Sequence, residues 1–185
     1  MSIPRVLGIC GSLRLDSYNR RLLEAATEAL PDVDWTIARI RGIPPYDSDI
    51  EARGVPPSVQ QLKDQIEAAD AIVIATPEYN HSIPGVLKNA IDWASRPYGK
   101  NAFDGKPTAA IGTAMGNIGT AAAQQHLRSI LAYLHVVLMG QPEGYIVFKQ
   151  GLVDDSHTVT DENVRKFLQT YMDKFGAWVE RYGKK

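Results

Sequence analysis

The sequence predicts an α/β protein: a doubly wound, five-stranded parallel sheet with helices on both faces. Three observations carry this. Strand-like and helix-like periodicities alternate along the chain, which is the pattern of repeated β-α units. Four of the five strand candidates are near-continuously apolar or small, as parallel strands covered on both faces must be. The unusual residues gather just after the first, third and fourth strands, where ligands sit in an open parallel sheet.

The first strand is Arg5–Cys10, followed by a helical stripe after Tyr18 made of Leu22, Leu23, Ala26 and Leu30. Trp35–Ile40 is the more polar strand and reads as a sheet edge. A proline-rich connection, from Gly42-Ile-Pro-Pro-Tyr-Asp-Ser-Asp49 to Pro56-Pro57, is long enough to be functional or to pack across a neighbour. Val59, Leu62, Ile66 and Ala69 then space as a helix, and Ala71–Ala75 is the third strand. Ile83, Val86, Leu87, Ala90, Ile91 and Ala94 follow steps of three and four, giving the next helix. Pro107–Gly112 is the fourth strand, Leu127, Ile130, Leu131 and Leu134 mark a helix, and Val136–Met139 is the fifth strand. Gly140–Ser156 is irregular, with an extra strand candidate at Tyr145–Phe148. The last helix carries Val164, Phe167, Leu168, Tyr171, Phe175, Trp178, Val179 and Tyr182. These apolar stripes are core and have no chemical role.

At 185 residues the chain is expected to be one domain, residues 1–185. A net charge of −1 and a pI of about 6.4 give no basic excess for nucleic acid or a membrane surface. No apolar run approaches a bilayer span, and no secretory signal pattern is present. Cys10, the single cysteine, precludes a disulfide within the chain, which fits a reducing cytoplasm. Its bland reading is a small buried hydrophobe.

The chemistry lies in three loops. Gly11-Ser-Leu-Arg-Leu-Asp-Ser-Tyr-Asn19 runs from a strand into a helix. A helix start offers unpaired N–H groups and the positive dipole end. Ser12, Ser17, Asn19 and Arg14 add donors around one phosphate, although Ser and Asn there also serve as plain caps. The loop is neither a Walker loop nor a three-glycine dinucleotide fingerprint. After the third strand, Thr76-Pro-Glu-Tyr-Asn-His-Ser-Ile-Pro-Gly85 places Pro77, Glu78, Tyr79 and Asn80 where backbone N–H groups meet a planar heterocycle and Tyr79 flanks its face. The alternative is a turn in which Asn80 or Ser82 caps the helix. After the fourth strand, Gly112-Thr-Ala-Met-Gly-Asn-Ile-Gly119 lets Thr113, Ala114, Met115 and Gly116 line the side of a flat ring. A phosphate end and a flat-ring end together describe a flavin mononucleotide lying along the sheet edge.

With Pro84-Gly85 and Leu87-Lys88-Asn89-Ala90-Ile91-Asp92-Trp93 added to the first two loops, the chain resembles the NAD(P)H-dependent FMN reductases, and within them the chromate and quinone reductase group. The resemblance runs from the first strand to the last helix. It implies a flavodoxin-like fold and tightly held FMN. It implies phosphate contacts from Ser12, Arg14, Ser17, Tyr18 and Asn19, ring and ribityl contacts from Pro77, Glu78, Tyr79 and Asn80, and ring-flanking by Ala114, Met115 and Gly116. The activity implied is hydride transfer from NADPH or NADH to FMN, then electron transfer to a small-molecule acceptor: quinones, azo dyes, chromate, ferric complexes or free flavin. The chemistry resides on the flavin, so no catalytic side chain is assigned. The alternatives are a non-enzymatic flavodoxin-type electron carrier, which the net charge of −1 disfavours, and a cofactor-sensing regulatory module.

The remaining candidates are weaker. His81 lies beside the expected ring but reads as an exposed loop residue, and His126, His135 and His157 scatter without metal spacing. Glu78 and Asp92 do not form a carboxylate pair. Lys88 and Arg96 are candidates for a nicotinamide donor's phosphate, with ordinary surface cations as the default. No Ser-His-Asp arrangement with a nucleophile elbow is visible. The resemblance also implies a homodimer, with further pairing to a homotetramer. Trp93, Tyr98 and Phe103 are the expected interface aromatics, between the flavin loop and a segment bracketed by Gly99 and Gly105. The competing reading packs them on their own subunit.

Overall fold

The computed structural model describes residues 3–154 and 158–183, so His157 and Ser156 lie outside the described residues. In chain order the elements are β1 (Arg5–Cys10), α1 (Tyr18–Glu28), β2 (Asp34–Ala38), α2 (Ser48–Arg53), α3 (Pro57–Ala68), β3 (Ala71–Ala75), α4 (Gly85–Ala94), β4 (Pro107–Ala114), α5 (Ala121–Tyr133), β5 (Val137–Leu138), β6 (Gly144–Val147) and α6 (Glu162–Tyr182). The sheet is parallel throughout, ordered β2-β1-β3-β4-β5, with β6 also on β4. This is the predicted doubly wound architecture with the polar strand β2 at the edge.

The face alternation of a strand explains the two cores. Along β3, Ala71, Val73 and Ala75 join a cluster with Leu22 and Leu23 of α1 and Leu168, Tyr171 and Phe175 of α6. Ile72 and Ile74 join the opposite cluster with Leu62 and Ile66 of α3, Leu87 and Ile91 of α4, and Leu127 and Leu131 of α5. Both faces of β3 are therefore dry, and its sequence reads as one apolar run.

Two expectations need correction. The fifth strand position is shared by two short strands. β5 pairs with Pro107 and Thr108 at the start of β4, and β6 pairs with Ile111–Ala114 at its end. Gly140 and Pro142 separate them, and a proline cannot donate to a ladder, so the pairing along β4 is interrupted there. The strand expected at Val136–Met139 thus shrinks to two residues, and the extra strand expected at Tyr145–Phe148 is β6, one residue earlier.

The second correction concerns the aromatics. Trp93 is 0% exposed and Phe103 is equally dry, so both belong to the chain's own interior; only Tyr98, 87% exposed, faces outward. For Trp93 the cause is the proline-rich connection. It folds over α4, where Trp93 Nε1 and Asn89 Nδ2 each donate to the Pro44 carbonyl at 2.8 Å. Asn89 Oδ1 accepts from the Tyr46 amide at 2.7 Å, and the Tyr46 ring meets Trp93 edge-on at 5.0 Å. The Asn89…Trp93 part of the recognised motif holds this strap. Within it the short helix α2, capped by Asp47, was not legible from periodicity.

Two lysines behave unlike surface cations. Lys63 is buried and donates to the carbonyls of Ala94, Arg96 and Lys100 at 3.2, 2.5 and 2.8 Å, closing the C-terminal end of α4. Lys106 does the same for α3 through Glu67 and Ala69 at 2.9 and 2.5 Å. Each cation satisfies orphan carbonyls at the negative end of a helix dipole. Burial pulls the Lys63 ammonium below the usual lysine range.

Candidate flavin site

The loops after β1, β3 and β4 meet at the carboxyl end of the sheet, across the β1/β3 reversal of strand order. Between them is a cavity of about 450 Å³. Every position expected to touch the cofactor lines it, except Asn80. His81, exposed on its loop beside the slot as expected, and Thr113, expected to flank the ring, line it too, together with Ile118 and Gly119. Ile118 carried no signal, since an apolar residue past a strand end looks like ordinary loop.

The β1 loop forms the polar end. Ser17 is the N-cap of α1, accepting from the Arg20 amide at 3.3 Å, and Ser12 Oγ accepts from the Arg14 amide at 3.3 Å. The two hydroxyls therefore sit on a tightened turn, each with a proton left to donate. The Arg14 guanidinium lies 5.2 Å over the Tyr18 ring, whose other neighbour is Phe148, stacked at 3.8 Å. Asn19 works from inside: its amide donates to the Thr113 carbonyl and accepts from the Thr113 N–H, both at 2.9 Å. That two-way pairing ties α1 to the end of β4 and leaves one amide hydrogen over. Cys10 lies buried under the loop, its thiol pushed up by desolvation, which suits a packing role rather than a reactive one.

The β3 loop is a tight reversal. Tyr79 and Ser82 exchange backbone hydrogen bonds at 3.0 Å, with Asn80 and His81 both at positive φ (52° and 60°) between them. Two left-handed residues inside such a pair are the signature of a type I′ turn, for which asparagine is well suited. Neither Asn80 nor Ser82 caps α4; Pro84 occupies that position. Glu78 turns inward, and its Oε2 accepts from the Ala123 amide at 2.9 Å in the first turn of α5. Its Oε1 lies 3.4 Å from His81 Nδ1. Glu78 thereby locks the β3 loop to the helix that follows β4.

The β4 loop completes the slot. Gly112 is required by close approach: a side-chain carbon there would overlap the Thr76 carbonyl oxygen and the Thr120 hydroxyl. Gly116 has open space around it, so packing does not demand a glycine at that position. Tyr79, Met115 and Ile118 are exposed and give the slot an apolar rim. Buried Thr113, on the same wall, has a hydroxyl oxygen with no hydrogen-bond partner.

Hydroxyl donors, a guanidinium and a helix N-terminus at one end, with an apolar slot at the other, fit a phosphorylated flat heterocycle. The orphaned Thr113 hydroxyl points the same way, because buried polar groups need partners. Elsewhere, Lys88 pairs with Asp92 at 2.8 Å along α4, and the Arg96 guanidinium lies 5.6 Å over the Tyr46 ring. Both cations are thus engaged within α4 and its strap. His126 meets Ser82 at 3.0 Å and His135 meets Asp104 at 2.8 Å.

An open parallel sheet with an anion-binding turn after β1 and a flat slot beside it defines a flavodoxin-like nucleotide-binding protein. The chain belongs to the NADPH-dependent FMN reductase family, whose model matches residues 4–151. It is 48% identical to a 2-hydroxy-1,4-benzoquinone reductase of Burkholderia over 95% of this chain and 96% of that one. It is 39% identical to a quinone reductase of Escherichia coli over 96% of each chain. The solved structure of FerB, a flavoenzyme NAD(P)H:acceptor oxidoreductase from Paracoccus denitrificans, superposes with a TM-score of 0.93 at 43% identity, covering 98% of this chain and all of that one. An archaeal flavodoxin, at 12% identity and a TM-score of 0.64, shares the fold. The class is that of FMN-linked NAD(P)H oxidoreductases.

Proposed function

We propose that this chain reduces small acceptors, quinones foremost, with electrons from NADPH or NADH, its β1, β3 and β4 loops holding FMN in one slot. The carrying observation is the convergence of those loops on a single cavity with phosphate donors at one end and an apolar rim at the other. When bound, FMN supplies hydride acceptance and onward electron delivery. The chain's residues position and expose it. Ser12, Ser17, Tyr18, Asn19 and Arg14 hold the phosphate end. Pro77, Glu78 and Asn80 set the β3 loop, and Tyr79, Ala114, Met115 and Gly116 bound the ring while leaving one face open. Azo dyes, chromate, ferric complexes and free flavin remain within reach of so open a rim. We place the reaction in the cytoplasm, where the lone Cys10 thiol stays reduced, and within one domain, residues 1–185.

The purified protein should show a visible flavin spectrum and release FMN on heating. Because donor and acceptor need the same open face, double-reciprocal plots at several quinone concentrations should be parallel. A colourless protein that takes up no FMN would remove the basis of this reading, and intersecting lines with a detectable ternary complex would contradict the shared face.

We also infer a homodimer. Exposed Tyr98 and Tyr133 border a cavity of about 630 Å³ with Lys88, Asp92 and Arg96 along α4 and α5, a mixed aromatic and charged surface of the sort that pairs two-fold. Light scattering should report at least twice the 20.4 kDa chain mass. A monomer with full flavin content and full activity would defeat the pairing.

A further inference from the structure

Beside the flavin slot, at the carboxyl ends of β1 and β2, lies a second cleft of about 860 Å³. Five arginines line it, Arg14, Arg20, Arg21, Arg39 and Arg41, against two carboxylates, Asp16 and Glu24. Arg20 pairs with Glu24 at 2.5 Å and Arg21 with Asp16 at 2.8 Å. Among the described residues Arg14, Arg39 and Arg41 have no carboxylate partner. A chain of net charge −1 thus gathers three unmatched guanidiniums in one concavity. An FMN phosphate on the β1 turn accounts for Arg14, which lines both cavities, and leaves Arg39 and Arg41.

The placement restricts what the surplus serves. In sheets whose β1 turn holds a dinucleotide's pyrophosphate, the end of the second strand reads the adenylate ribose, by a carboxylate for a free 2′-hydroxyl or an arginine for a 2′-phosphate; with FMN on the β1 turn, that chemistry is open here to a second nucleotide. Here that position carries Arg39 and Arg41 and no acidic residue between Ala38 and Tyr46. Arg41 is held in place by donating to the Leu13 carbonyl of the β1 turn. Leu13, Ile37 and the fully exposed Leu15 supply apolar surface for a base. Ser12, Arg14 and Ser17 line both cavities, so the arginine cleft adjoins the flavin slot across the β1 turn.

We propose that this cleft receives the 2′-phosphoadenosine end of the electron donor, so that the enzyme prefers NADPH over NADH. This rests on the flavoenzyme reading above. Guanidinium forks suit a phosphate dianion, and the cleft's exposure makes the attraction sensitive to salt.

The test uses the FMN-loaded protein. 2′,5′-ADP should bind it more tightly than 5′-ADP by calorimetry, and it should compete with NADPH. Arg39→Ala, at an exposed strand end where folding is not at risk, should lower kcat/KM for NADPH about tenfold or more, the loss of one charge-assisted contact. Arg39→Glu should lower it further, and both should depress kcat/KM for NADH much less than for NADPH, since NADH carries no 2′-phosphate to meet residue 39. Raising ionic strength should depress the NADPH rate more than the NADH rate. Arg14→Ala separates the two cavities, weakening FMN against riboflavin whatever the donor. Equal responses of NADPH and NADH to Arg39→Glu, or no binding of 2′,5′-ADP, would overturn the proposal while leaving the flavoenzyme reading intact. Release of FAD would reassign the cleft to the cofactor's own adenylate. A protein without flavin, or without turnover by either donor, would overturn both.

Discussion

Trp93→Ala is expected to destabilise the fold by about 3–5 kcal/mol, the range for removing a large aromatic from a dry core. The indole is 0% exposed and wedged between α4 and the strap from Pro44 to Tyr46. Deleting it leaves a cavity that the helix and strap cannot both close. It does not orphan the Pro44 carbonyl, which still accepts from Asn89. Trp93→Phe should therefore cost much less, since most of the ring volume stays and one hydrogen bond, about 0.5–1.5 kcal/mol, is lost. Urea midpoints of the three proteins check the ranking. Flavin affinity of the folded protein should be unchanged, because Trp93 does not line the flavin slot. Equal midpoints for Trp93→Ala and the parent would show that the strap contributes nothing to stability.

Gly112→Ala is the second large effect, and it acts on stability and site together. The new methyl would overlap a backbone carbonyl, that of Thr76, as well as the Thr120 hydroxyl. A side chain can turn aside, but Thr76 is fixed by its own N–H bond to the Ile111 carbonyl at 3.0 Å. The β3 and β4 loops must then separate. Overpacking of this kind costs about 1–3 kcal/mol. These are the loops that form the ring slot, so flavin retention on gel filtration should be lost as well. Thr120→Ala should not rescue it, because the carbonyl clash remains. Gly116→Ala, in open space, is the control and should change stability by less than about 0.5 kcal/mol. A Gly112→Ala protein as stable and as yellow as the parent would show that the loops are not held at this spacing.

The two arginine-bearing cavities adjoin along the β1 turn. If the donor is recognised at its phosphoadenosine end, away from the ring, the open rim of Tyr79, Met115 and Ile118 need discriminate little. Specificity for one reactant and tolerance for the other then come from separate surfaces.

The sequence by itself determined what depends on neighbours along the chain. Strand β3 was legible because both its faces are buried and its five residues are all apolar or small. The amphipathic stripes of α1, α3, α4, α5 and α6 follow from the 3.6-residue period of one buried face. The three site loops were legible because serine at a helix start, proline at a strand end and glycine in a close turn each act over a few residues. Tertiary structure alone decided what depends on partners far apart. Asn19, which reads as a phosphate donor or a plain cap, also clamps Thr113, 94 residues on. Lys63 and Lys106 carry no local signal and are buried against carbonyls 31–39 residues distant. Trp93 reads as an interface aromatic until the Pro44 strap covers it. The arginine cleft joins the β1 turn and α1 to the end of β2, elements that share no local pattern. In each case the deciding term is desolvation or the satisfaction of a buried polar group, which is set by whatever the fold brings alongside.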